Sequence, residues 1–206
     1  MNDETPHGWL LTTAERLREH YGEPYPLALT KEVDFIHPQY RPFIEASPFC
    51  VLATAGAHHV DCSPRGDGAG FVEVVDDKTL LIPDRPGNNR LESLLNIVED
   101  PRVALLFLVP GVGESLRVRG RAVISTEPRW LERCSAPGKS PPKTVLVVTV
   151  QSVYFQCARA LIRGRVWDPT THVARHTLPS AGAMLAAISR DRVDGEAYDQ
   201  EDEGEL

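Results

Sequence analysis

The chain has 206 residues, 42% hydrophobic and 25% charged, which is globular usage and excludes a disordered, collagen-like or coiled-coil chain. The longest apolar runs, Val103–Pro110 and Val145–Val150, fall far short of the roughly 20 residues a membrane helix needs, so no membrane partner is expected. The formal charge of −7 is concentrated in residues 191–206, which hold eight acids and one base. We read that stretch as a solvated, partly disordered acidic tail. The body is balanced, which leaves no electrostatic case for nucleic-acid binding. The first ten residues have no basic region followed by a long apolar core, so no secretory signal is expected. Cys50, Cys62, Cys134 and Cys157 form no C-x-x-C pair; free thiols in a reducing cytoplasm follow. Cys50 and Cys62 lie in strand-like context and read as small packed hydrophobes.

In chain order, Thr12 and Glu15 have the spacing of a capping box, and Gly22 stands where a C-cap belongs, so a helix is predicted from about Thr13 to Tyr21. Pro24 and Pro26 break the chain. A second short helix is predicted near Pro38 to Ala46, its limits blurred by Pro42. Phe49–Ala55 and Val60–Ser63 flank a short turn and read as a hairpin. Ser63 to Gly70 is rich in turn residues and reads as a loop. Phe71–Val75 and Thr79–Pro83 form a second hairpin. Leu91, Leu94, Leu95 and Val98 make a helical stripe over Asn89–Val98, stopped by Pro101.

Val103–Val109 reads as a largely buried strand. Ser115–Ile124 alternates, with Leu116, Val118, Gly120, Ala122 and Ile124 on one face and Arg117, Arg119 and Arg121 on the other. Glu127–Cys134 allows one or two helical turns, and the three prolines of Ala136–Lys143 mark a loop. Thr144–Val153 is a β-branched strand. Gln156–Arg163 and Ala183–Ser189 read as short helices. Six or seven strands thus cluster between residues 49 and 153, with helices inserted rather than strictly alternating. The expected fold is α+β, a mostly antiparallel sheet closing into a barrel with short flanking helices. Its parts are a helical arm over 1–47, a barrel domain over 48–170 and a C-terminal segment with the acidic tail over 171–206.

Several familiar sites are absent. There is no P-loop, and Gly111-Val112-Gly113 lacks the third glycine and following helix of a dinucleotide fingerprint. There is no G-x-S-x-G elbow. His172 and His176 have i, i+4 spacing without a glutamate beside the first, and read as surface histidines. His58 and His59, adjacent in a turn, do not share a face. No metal site is expected. What remains is arginines beside hydroxyls and glycines, in Ser63–Asp67, Pro83–Arg90 and Ser115–Arg121. The second lies directly before a helix, whose free N–H groups favour an anion; Asn88 or Asn89 suits the N-cap, and Arg85 and Arg90 add guanidinium forks. Together these could hold a phosphate. The same residues also read as a capped helix with solvated arginines. The row Arg117, Arg119, Arg121 needs neutralising by cross-strand acids or by water.

Ile82-Pro83-Asp84, Gly87-Asn88-Asn89-Arg90 and Asp100-Pro101-Arg102-Val103-Ala104-Leu105-Leu106-Phe107, followed by Ser115-Leu116-Arg117-Val118-Arg119-Gly120-Arg121-Ala122, resemble the pyridoxamine 5′-phosphate oxidase family of FMN-binding split β-barrels. Ser63-Pro64-Arg65-Gly66-Asp67 and Val153–Leu161, followed by Trp167, resemble a largely uncharacterised bacterial branch of it. The resemblance spans about residues 34–170. It implies a homodimer with FMN in a cleft between subunits. It also implies cofactor-binding roles for Ser63, Arg65, Asn89 and Arg90, for Ser115 and Arg117 near the ring or ribityl chain, and more weakly for Asp84 and Arg85. No catalytic acid or base is assigned. Gln156 and Arg159 stand where the branch carries His and Lys, so an acid–base role there is in doubt. The acidic C-terminus replaces the basic segment that grips pyridoxamine phosphate, so vitamin B6 oxidase activity is not carried over. The expected function is FMN-dependent oxidation or reduction of an unidentified small molecule. The alternatives are a non-catalytic flavin, F420 or haem carrier or sensor, and an interaction protein docking its acidic tail on a basic partner.

Overall fold

The computed structural model describes residues 9–135, 141–190 and 192–205. Its β-branched and aromatic runs pair into one sheet of seven strands: β1 (Phe49–Ala55), β2 (Val60–Gly66), β3 (Glu73–Val74), β4 (Thr79–Asp84), β5 (Arg102–Leu108), β6 (Ser115–Ser125) and β7 (Thr144–Gln156). The order is β2-β1-β5-β6-β7-β4-β3, and every pairing is antiparallel. This is the α+β split-barrel arrangement expected from the sequence. Leu52, Leu80, Ile82, Phe107, Leu116, Val118 and Val148 are buried in its core with Ile44 from the preceding helix. Each such side chain contributes about 1.5–3 kcal/mol of burial free energy.

The alternation predicted for β6 is present: Leu116, Val118, Gly120 and Ala122 are buried, and Arg117, Arg119 and Arg121 are exposed. The register with β7 shifts between Arg119 and Gly120. A β-carbon on Gly120 would stand 2.3 Å from the Thr149 carbonyl oxygen, which is backbone and cannot swing away. Gly120→Ala is therefore expected to cost about 1–3 kcal/mol, read as a lower midpoint in urea unfolding.

Local elements depart from expectation in instructive ways. The first helix, α1 (Ala14–Tyr21), is capped by Thr13, not Thr12; its hydroxyl accepts from the Arg16 N–H at 3.3 Å. Glu15 then falls one position short of a capping box. Pro26 starts a helix, α2 (Pro26–Thr30), where a break was expected; proline at the first helical position loses no hydrogen bond. α3 (Arg41–Ala46) is shorter than predicted. A bridge between Val33 and Val153 ties the segment ahead of it to β7. The stripe beside β4 forms α4 (Glu92–Glu99); α5 (Pro128–Arg133) and α6 (Arg159–Arg163) follow. Residues 136–140 of the expected proline-rich loop lie outside the described residues.

The chain divides into two compact units, Met1–Leu161 and Ile162–Leu206. The second contains α7 (Ala181–Ser189) and α8 (Gly195–Glu205). The tail is thus helical over 195–205, which corrects the expectation of disorder there. Asp194 accepts from the N–H groups of Glu196 and Ala197, both at 3.1 Å, and Asp199 accepts from the Gly182 N–H at 2.7 Å. Gly182 and Gly195 meet backbone to backbone. No helix among the described residues is long and apolar enough to cross a membrane.

Candidate functional site

β2 is an edge strand, and its pairing with β1 sets Arg65 opposite Cys50, Ser63 opposite Leu52 and Asp61 opposite Thr54. Asp61, Ser63 and Arg65 therefore share the face of three buried side chains and are themselves half-buried, while Val60, Cys62 and Pro64 face out. Two expectations change. The strand continues past Ser63, so Arg65 stands on it and not in a loop, and Cys62 is exposed rather than packed. Cys50 is buried as expected. Burial pushes its thiol up to about 12, against the opposing charge of Arg65, so it is no nucleophile.

The second wall is the segment leaving β4 for α4. Asn88 Oδ1 accepts from the Arg90 N–H at 3.1 Å, and Asn89 and Leu91 take left-handed conformations, φ 55° and 59°. Leu91 occupies the N-cap with no side-chain hydrogen bond. Neither asparagine caps the helix: Asn88 uses its oxygen in the turn, and the backbone reversal at 89–91 delays the first helical residue to Glu92. Between the walls lies a cleft of about 640 Å³, lined by Ser63, Arg65, Asp84, Arg85, Asn89 and Arg90 together with Asp61, Ser93 and Lys143.

The cleft's cations are not equivalent. Arg85 donates to Asp67 Oδ2 at 2.9 Å and to the Cys134 carbonyl at 3.1 Å. The side chains of this pair are only 21% and 7% exposed. Arg90 pairs with Glu92 at 2.7 Å and is 75% exposed. Arg65 donates to Ser63 Oγ at 2.6 Å and to the Pro64 carbonyl at 2.8 Å. Neither Arg65 nor Lys143 has a carboxylate partner among the described residues. Ser93 donates to Asp61 at 3.1 Å, so that carboxylate is already engaged.

Six of the eight residues singled out in the sequence line this cleft; Ser115 and Arg117 do not. Ser115 is buried at the start of β6, opposite Leu108 and Gln156. Arg117 lies opposite Tyr154. Its neighbour Arg119 is met by Glu32, at 3.6 Å, which comes from the segment after α2 and not from a strand alongside. Lys143, Asp61 and Ser93 were missed. Lys143 directly precedes Thr144, which pairs with Asp84; only the β4–β7 register brings it to the cleft.

A family model for pyridoxamine 5′-phosphate oxidase matches residues 36–157. The chain belongs to the pyridoxamine 5′-phosphate oxidase family. The region shared with the family contains every residue of the cleft. Among solved structures, HupZ of Group A Streptococcus is 21% identical, with 57% of this chain and 91% of that chain covered and a TM-score of 0.47. A protein of Clostridium acetobutylicum related to general stress protein 26, of the pyridoxinephosphate oxidase family, is 14% identical, with 58% and 86% covered and a TM-score of 0.45. An FMN-binding protein from Syntrophomonas wolfei is 13% identical, with 68% and 95% covered and a TM-score of 0.44. No curated protein matches.

Proposed function

We propose that the chain is an FMN-binding oxidoreductase acting on an unidentified small molecule, with the cleft between β2 and the β4–α4 segment as its mononucleotide site. The observation that carries this is the pair of cations, Arg65 and Lys143, beside the Ser63 hydroxyl and without carboxylate partners among the described residues. A phosphate dianion is the partner such a group lacks. The volume of about 640 Å³ lies in the range of small-molecule and cofactor pockets. Arg65, steadied by Ser63 and the Pro64 carbonyl, and Lys143 hold the phosphate; Arg90 lies at the rim. When bound, the flavin ring supplies the hydride chemistry.

The reading includes a homodimer. Val51, Ala53 and Leu106 share an outward, half-covered sheet face with Val60, which is 83% exposed. A second copy would cover it. Ser115, outside the cleft of its own chain, could serve a flavin only from that copy. Four unbridged cysteines suit a reducing compartment, and the reading puts the protein in the cytoplasm.

The test is a visible spectrum of the purified protein, with FMN, F420 and haem titrated in parallel and the mass measured by light scattering. Flavin absorbance bleached by NAD(P)H, in a dimer, is the expected result. Haem bound with no affinity for flavin would replace this reading with a carrier or sensor. Flavin bound but turned over by no reductant or oxidant would retain the binding and remove the enzyme.

A further inference from the structure

On the outer sheet face, away from the cleft, Tyr154 of β7 lies opposite Arg117 of β6. It is only 8% exposed, and cations stand around it. Arg119 donates to its hydroxyl at 2.8 Å. The guanidinium carbons of Arg119 and Arg117 lie 5.3 and 5.9 Å from its ring centre, and Lys31 Nζ lies 5.9 Å from it. Lys31 also sits 4.9 Å over Phe155. Among the described residues one carboxylate stands against these three cations, Glu32, which already accepts from Ser152 and pairs with Arg119. Arg117 and Lys31 have no carboxylate partner among the described residues. Arg121, further along the row, is different: it shares the field of Asp100 with Arg102.

We propose that Lys31, Arg117 and Arg119, gathered around the Tyr154 phenol, form an oxyanion site separate from the cleft, for a small phosphate- or dicarboxylate-bearing molecule. Three cations held this close repel one another, and a dianion relieves that repulsion where water only screens it. The guanidinium forks match the geometry of phosphate or carboxylate. The phenol oxygen accepts from Arg119, so its O–H remains to be donated to the anion. Burial pushes the Tyr154 phenol up, but the hydrogen bonds and charges of Arg117 and Arg119 outweigh it, and the net direction is down. The cations thus already act on that hydroxyl. The site does not depend on flavin binding.

The test follows the Tyr154 phenol by near-ultraviolet difference titration, with Tyr154→Phe subtracted to assign the signal. Inorganic phosphate is added in one arm and malonate in the other, to separate phosphoryl from dicarboxylate recognition. A bound anion offsets the cations and raises the midpoint, by about half a unit or more. The expected result is a saturable rise, lost in Arg117→Gln and kept in Arg65→Gln. A rise reproduced by sodium chloride at equal ionic strength would reduce the effect to screening and overturn the proposal. So would a rise lost in Arg65→Gln but kept in Arg117→Gln, which would assign the anion to the cleft, and so would no rise with either anion. If flavin fails to bind but the saturable rise persists, only the cofactor reading falls.

Discussion

Replacing Arg65 with alanine is expected to weaken FMN about 10- to 150-fold and to leave riboflavin nearly unaffected. The range is that of one charged hydrogen bond, about 1.5–3 kcal/mol. Arg65 is half-buried, its guanidinium is fixed by Ser63 and the Pro64 carbonyl, and no carboxylate among the described residues neutralises it. A phosphate therefore meets a preorganised charge. Arg90 makes the contrast: 75% exposed and already paired with Glu92, it would have to exchange one partner for another. Its replacement by alanine is expected to change FMN affinity no more than about fivefold, the scale of an exposed ion pair. Equilibrium dialysis of both ligands against both variants reads the ordering. If Arg65→Ala weakens riboflavin as much as FMN, Arg65 supports the fold and the phosphate belongs elsewhere.

The contrast also shows what the sequence could and could not reveal. β6 was legible because period-two burial is written in the chain itself: every second residue of Leu116–Ala122 had to face the core. β1 was legible as a short apolar run next to a turn. β2 was cut short at Ser63 because Pro64 and Gly66 resemble turn residues. Proline is tolerated on an edge strand, where one side needs no donor, but the sequence does not show which strand lies at the edge. The cap at Asn88 or Asn89 failed for a related reason. Local propensity permits a capping asparagine, and the left-handed backbone at Asn89 and Leu91 is imposed by how the segment must enter α4. In the acidic tail, charge argued for disorder, while the close approach of Gly182 and Gly195 and the Asp199 hydrogen bond depend on two helices meeting. Ligand residues are the hardest case. A guanidinium in sequence shows its charge and not its partner, so Arg85 and Arg65 both stood as phosphate candidates, although Asp67 lies beside Arg85.

That partner makes Arg85 a different kind of residue, and its replacement by alanine is expected to destabilise the fold by about 3–5 kcal/mol. Asp67, whose side chain is 7% exposed, would keep its bond from the Gly68 N–H but lose the guanidinium that faces it. Asp67 follows β2, Arg85 follows β4, and the Cys134 carbonyl closes α5, so the clasp joins both walls of the cleft to a third element. Loosening it should weaken FMN and riboflavin to the same degree, unlike the selective loss at Arg65. Arg85→Ala with Asp67→Asn, which removes the buried carboxylate's charge along with the guanidinium, should recover part of the stability but not the affinity. The urea midpoints of the two single variants and the double variant measure the coupling between the side chains, and a coupling near zero would mean that the bridge contributes nothing to the fold. If instead Arg85→Ala spares the midpoint and weakens FMN alone, Arg85 is a phosphate ligand after all, and the clasp yields to the cofactor when it binds.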